Sequence, residues 1–172
     1  MRKAALLLLV LAVVAPAQAR TKPPLKRACQ LITTNEVSTI MGRKMLRSAN
    51  DPTGCGWQSG PKAQAGLQVY GFKTVKAAKE YLQTGPVRSY ELCVDPPNQF
   101  LPGSGLGDEA WLDSCNSNVA FRLGRITGEV TEYTADVEEG SHTDSRRATA
   151  IARKVVARLH HFRCPPSFCY GT

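Results

Sequence analysis

The stretch "GLQVYGF" at residues 66–72 alternates, with Leu67, Val69 and Gly71 on one side and Gln68, Tyr70 and Phe72 on the other. Period two is the mark of a half-buried strand. Before it come "CGWQS" and "KMLRS", separated by the turn residues "GPK" and "NDPTG", so residues 44–72 predict a meander of three strands. Helical spacing flanks the meander on both sides. In "CQLITTNEVSTIMG", Val37, Ile40 and Met41 share a face, Thr33 and Glu36 have the spacing of a capping box, and Gly42 supplies a left-handed stop. In "TVKAAKEYLQTG", Thr74 caps, Val75, Ala78 and Leu82 form the stripe, and Gly85 closes.

The second half repeats this grammar loosely. "VRSYELCV" reads as a strand and "DPPNQFLPGSGLGD" as a long turn-rich loop, followed by strands at "EAWLDSC", "NVAFRLG" and "ITGEVTEYT". Trp111 is expected to enter the core. A last helix is predicted from about Thr143 to His161, with Ala148, Ile151, Ala152, Val155, Val156 and Leu159 on its apolar stripe. Hairpin-linked strands with three helices predict an α+β fold, a single antiparallel sheet of about six or seven strands packed with helices.

The chain opens with Arg2 and Lys3, an apolar run from Ala4 to Val14 and the small-x-small "AQA" at 17–19, the pattern of a cleaved export signal. The expected layout is a signal peptide at 1–19, a basic Pro-rich lead-in at 20–28, one domain at 29–163 and a short tail at 164–172. The mature chain would begin at Arg20, in a secreted or periplasmic protein of bacterial type. No cysteine closely follows the apolar run, so no lipid anchor is expected. The net charge of +8 falls to about +6 after cleavage, which favours anionic surfaces without requiring them.

All six cysteines, Cys29, Cys55, Cys93, Cys115, Cys164 and Cys169, lie in the mature part. An even number in an exported chain reads as disulfides, and the C-x-x-C pairs of a zinc site are missing. Six cysteines allow about fifteen pairings. Order along the chain favours Cys29–Cys55, Cys93–Cys115 and Cys164–Cys169, the pairing that closes the shortest loops.

The glycines of "GSGLGDEAW" at 103–111 invite a phosphate-loop reading. Such a loop must run into a helix, whose N-terminal N–H groups meet the anion. The spacing here is G-x-G-x-G and a strand is expected next, so the stretch reads as a turn with Gly105 and Gly107 at positive φ and Asp108 accepting backbone hydrogen bonds. No cofactor motif is present.

Three stretches, "ACQLITTNEV…MG", "GCGW" and "GLGDEAW", resemble a family of small exported bacterial domains of unknown function, known chiefly as lipoproteins of the actinobacterial envelope. The resemblance covers roughly residues 28–160 and extends distantly to PsbP-type domains and to sensor domains of some receptor kinases. It implies a Cys29–Cys55 disulfide and a compact sandwich built on an antiparallel sheet. It carries over no catalytic residue. The chain departs from the pattern in lacking a lipobox cysteine and in adding "CPPSFC".

Candidate chemistry is sparse. His142 has Asp144 and Ser145 nearby, but the G-x-S-x-G elbow of a serine hydrolase is missing. Asp108, Glu109 and Asp113 could supply a glycosidase pair, although adjacent strand positions point apart. "ADVEEGSHTD" lacks the ligand alternation of a calcium loop. Trp57, Tyr70 and Phe72 read as core packing before pocket lining. From Arg146 onward there are six Lys or Arg and no Asp or Glu, so Arg146, Arg153, Lys154 and Arg158 form a candidate anion-binding face. The expected function is a non-enzymatic envelope or secreted domain that binds an unidentified ligand or protein. The alternatives are a secreted hydrolase, or a module that binds an anionic polymer or membrane surface through the last helix. No specific nucleic acid is expected.

Overall fold

A computed structural model describes residues 27–86, 99–101, 104–113, 117–134, 143–162 and 169–170. A 3-10 turn at Ala28–Gln30 leads into helix α1 (Thr34–Met41), then strands β1 (Leu46–Asn50), β2 (Gly54–Gln58) and β3 (Ala63–Phe72), and helix α2 (Val75–Thr84). The second half holds β4 (Gln99–Phe100), β5 (Glu109–Asp113), β6 (Asn118–Leu123), β7 (Ile126–Thr134), helix α3 (Thr143–Leu159) and β8 (Cys169–Tyr170). The fold is α+β, as the hydrophobic pattern predicts.

The sheet runs β1-β2-β3-β7-β6-β5-β4, antiparallel throughout this path. Two meanders are joined where β3 and β7 pair from Ala63↔Thr134 to Gly71↔Ile126. Two differences from expectation concern short elements. The long loop before Asp108 contains β4, which pairs Phe100 with Trp111. The tail returns to the sheet as β8, parallel to the Gly71–Phe72 end of β3. The expected strand at 87–94, and Cys93, Cys115 and Cys164 with their two bridges, lie outside the described residues.

Period two decides which side chains meet which layer. On one side of the sheet, Ala63, Ala65, Leu67 and Val69 of β3, Val119 and Phe121 of β6 and Val130 of β7 pack under α1 and α3, with Trp57 fully buried among them. The Trp57 indole N–H donates to the Thr34 hydroxyl at 3.3 Å. Gly128 on β7 leaves room for the Phe121 ring, which stands where a Cβ would be. On the other side α2 lays Leu82 over Ala120 and Trp111, with Ala78 buried one turn earlier. Trp111 therefore sits in this smaller cluster and not in the main core. Ala110, which pairs with Phe121, takes the core-facing phase of β5 and leaves its neighbour the opposite face. Tyr70 and Phe72 also lie on this side, half-buried, their rings 5.3 and 5.1 Å from that of Tyr81.

The Cys29–Cys55 disulfide links the turn before α1 to β2, with Cα atoms 5.1 Å apart. The α1 start carries both halves of the expected capping box: the Glu36 N–H donates to Thr33 Oγ1 at 3.2 Å and the Thr33 N–H to Glu36 Oε2 at 3.0 Å. Gly42 ends the helix at φ 68°.

Candidate functional site

The candidate cations on α3 separate into two kinds. Arg158 makes a bidentate pair with Glu36, at 2.7 and 2.8 Å, and donates to the Leu31 carbonyl at 2.9 Å. Lys154 stands 3.5 Å from the same carboxylate. Both are thus drawn toward α1, and their counter-charge comes from a residue far away in the chain, 122 positions from Arg158. Arg146 and Arg153 are exposed, two turns apart on one stripe. Arg147, on the flank, donates to the Thr134 hydroxyl at 3.3 Å and stands 3.7 Å from the buried Glu132 carboxylate. The four expected anion ligands do not form a single free face.

The Arg158 hydrogen bonds hold the Glu36 carboxyl down at about 2 from an ordinary 4.5, helped by the Thr33 N–H and opposed by partial burial. The same pairing raises the Arg158 pKa. A carboxylate with a depressed pKa contributes stability above its unfolded value and loses it as pH falls through the folded one. The pair should therefore stabilise the fold above about pH 5 and cease to do so by about pH 2. With the pair partly exposed, Glu36→Gln is expected to cost about 1–2 kcal/mol at neutral pH. Denaturant melts of both proteins at neutral pH and at about pH 2 check this. Equal costs at the two pH values would remove the ion-pair account.

The candidate carboxylates around the "GLGDEAW" turn converge on Arg122. Asp108 Oδ2 lies 2.9 Å from its guanidinium and Glu109 Oε2 lies 3.4 Å from its Nε. The expectation that Asp108 and Glu109 point apart does not hold, because Asp108 precedes β5 and the positive φ of Gly107, 90°, turns it back. Asp108 also accepts the Gly124 N–H at 2.8 Å, which ties the 104–108 turn to the β6–β7 hairpin. Arg122 is buried and donates further to the Gly124 carbonyl at 3.1 Å. This geometry braces a turn; the carboxylates flank a guanidinium and not an open cleft. Asp113 is buried at the far end of β5. A strand follows the glycines, so the N-terminal helix amides of a phosphate loop are not supplied here. His142 lies outside the described residues, and so do the side chain of Asp144 and residues 135–142 of the calcium-loop candidate at 135–144. Among the described residues no group of three or more His, Cys, Asp or Glu is placed to hold a metal.

A further surface is assembled only by the fold. Helix α2 covers the β3–β7–β6 part of its side of the sheet, and the β1–β2–β3–β7 part beside it carries exposed side chains. Register puts Leu46, Gln58, Gln64 and Tyr133 in one row across four strands. Leu46 and Tyr133 are 59% and 57% exposed. The adjoining row contains Gly56, Gly66 and Thr131. A Cβ on Gly66 would come within 2.5 Å of Thr131 Oγ1, and one on Gly56 within 2.9 Å of Ser48 Oγ, so the glycines let two hydroxyls lean over the strand backbones. Gln68, which accepts the Tyr70 hydroxyl, begins the next row. The sequence signal for this face is the glutamines on the polar phase of β2 and β3 beside glycine, and nothing local says that it stays uncovered. At about 4.8 Å between strands, the platform is about 14 Å across. No protein-family model and no curated protein sequence matches the chain.

Proposed function

We propose that the protein is an exported, disulfide-locked binding domain of the bacterial envelope, acting without catalysis, and that its ligand lies on the uncovered sheet face of β1, β2, β3 and β7. The observation that carries this reading is the cross-strand row Leu46–Gln58–Gln64–Tyr133, which exposes two large side chains and two carboxamides on rigid strands. Groups held by a paired sheet lose little freedom on binding, which lowers the entropic cost of a contact. The signal-like pattern of residues 1–19, the basic balance and the bridge between Cys29 and Cys55 support the setting.

A second reading is favoured by one observation, the exposed Arg146 and Arg153 on α3, which could meet an anionic polymer. Sedimentation with isolated cell-wall material separates the two. The protein is expected to co-sediment, and Gln58→Ala/Gln64→Ala/Tyr133→Ala should weaken binding about a hundredfold, as loss of two hydrogen bonds and a ring contact predicts. Arg146→Gln/Arg153→Gln should leave it unchanged. The reverse pattern would assign function to the helix, and absence of co-sedimentation would sink both readings.

A further inference from the structure

We infer that the ligand of the open sheet face is an uncharged glycan chain, an inference that rests on the reading of that face as the binding surface. The argument begins with charge. The chain carries 22 Lys and Arg residues, yet none occupies a strand position on this side of β1, β2, β3 or β7, and Glu129 is the only acid there. A polyanion would be drawn to the helical layer on the opposite side, where Arg146 and Arg153 are exposed. The sheet face offers no such attraction.

Its functional groups match neighbouring sugar hydroxyls. A carboxamide presents a donor and an acceptor side by side, and a pair of adjacent hydroxyls presents the same in return. Gln58, Gln64 and Gln68 supply three of them along adjoining registers of β2 and β3. Ser48 and Thr131 place hydroxyls, each able to donate and accept, between these rows. The half-exposed Tyr133 ring closes one end, a flat surface for the C–H side of a sugar ring with a polar tip left wet. Gly56 and Gly66 carry no side chains of their own, so the Ser48 and Thr131 hydroxyls fill the space above them and present polar groups where apolar side chains would otherwise stand.

A peptide ligand fits less well. Addition of a strand needs a regular free edge, and the edge strand β1 is broken by an irregularity between Arg47 and Ala49, with Arg47 directly across from Trp57 and so on the core-side phase. Bulges and charges turned toward the core side are the features that block edge pairing.

The test is electrophoresis of the mature protein through native gels containing a neutral mannan, galactan or glucan, with heparin as the anionic comparison. At least one neutral polymer is expected to retard the protein. Retardation should persist between about 50 and 200 mM salt, since no counterions are released. Gln58→Ala/Gln64→Ala and, separately, Tyr133→Ala should weaken it roughly tenfold with an unchanged melting temperature, because these side chains are exposed. Absence of retardation by all three polymers, retardation that the variants keep, or retardation that salt abolishes would overturn the inference. If wall sedimentation depends on the face while the neutral polymers fail, the binding surface stands and the glycan assignment falls. If wall sedimentation itself fails, the reading beneath it falls too.

Discussion

Replacing Cys29 by Ser is expected to lower stability by about 2–5 kcal/mol, one of the two largest single-residue effects in this domain. The bridge to Cys55 spans 26 positions, for which chain-entropy reasoning gives about 3.5 kcal/mol. Both cysteines are buried, so the variant also leaves a hydroxyl and a thiol in an apolar setting. The bridge fixes more than a loop. Cys29 sits in the turn whose neighbours Ala28, Leu31 and Ile32 are fully buried, and Cys55 is the second residue of β2, two positions before Trp57. Freed of the bridge, that turn can lift from the sheet and take the start of α1 with it. At about 2–4 °C per kcal/mol for a chain of this size, the melting temperature should fall by roughly 7–14 °C. A calorimetric comparison under non-reducing conditions measures it. A fall of less than about 2 °C would show that burial alone holds the turn.

The parts of this fold that were legible in the sequence are those whose partners lie close along the chain. Thr33 and Glu36 are three residues apart, so their reciprocal caps can be written down from spacing alone, and Gly42 marks the stop. The alternation of β3 and the stripe of α3 emerge as local periods. What could not be read is set by long-range pairing. Nothing in the β3 residues announces β7 as their neighbour, yet that pairing decides that Tyr133 stands beside Gln64. The cations of α3 have no acid on their own helix after Arg146, and so read as a free face until α1 brings Glu36 to Arg158. Strand alternation sets Asp108 and Glu109 apart only where both are in a strand, and β5 begins at Glu109, after a turn that alternation does not describe. Alternation separates the two sides of a strand, and among the described residues the placement of α2 over β3, β7 and β6 is what covers part of its side.

The same turn supplies the second large effect. Gly107→Ala is expected to destabilise by about 2–4 kcal/mol, while Gly105→Ala, two residues away, should cost only about 1–2 kcal/mol. Both glycines have positive φ, 72° at Gly105 and 90° at Gly107, so each substitution carries the penalty of a left-handed conformation. Their surroundings differ. A Cβ on Gly105 meets nothing within 4 Å. A Cβ on Gly107 runs into the Arg122 backbone carbonyl, which cannot swing aside as a flexible side chain would, because β6 is paired on both edges. That carbonyl also accepts the Asp108 N–H at 2.8 Å. Pushing it away would loosen Asp108, and with it the bonds to Arg122 and Gly124 that join the 104–108 turn to the β6–β7 hairpin. The buried guanidinium of Arg122 would then lose its closest carboxylate, a costly loss in a desolvated position. The two single variants therefore separate conformational strain, which they share, from close approach, which only Gly107 requires. Urea denaturation of both, run beside the wild type, gives the difference directly. Equal losses would mean that the glycines of this turn serve backbone conformation alone and that the contact with Arg122 contributes nothing to their selection.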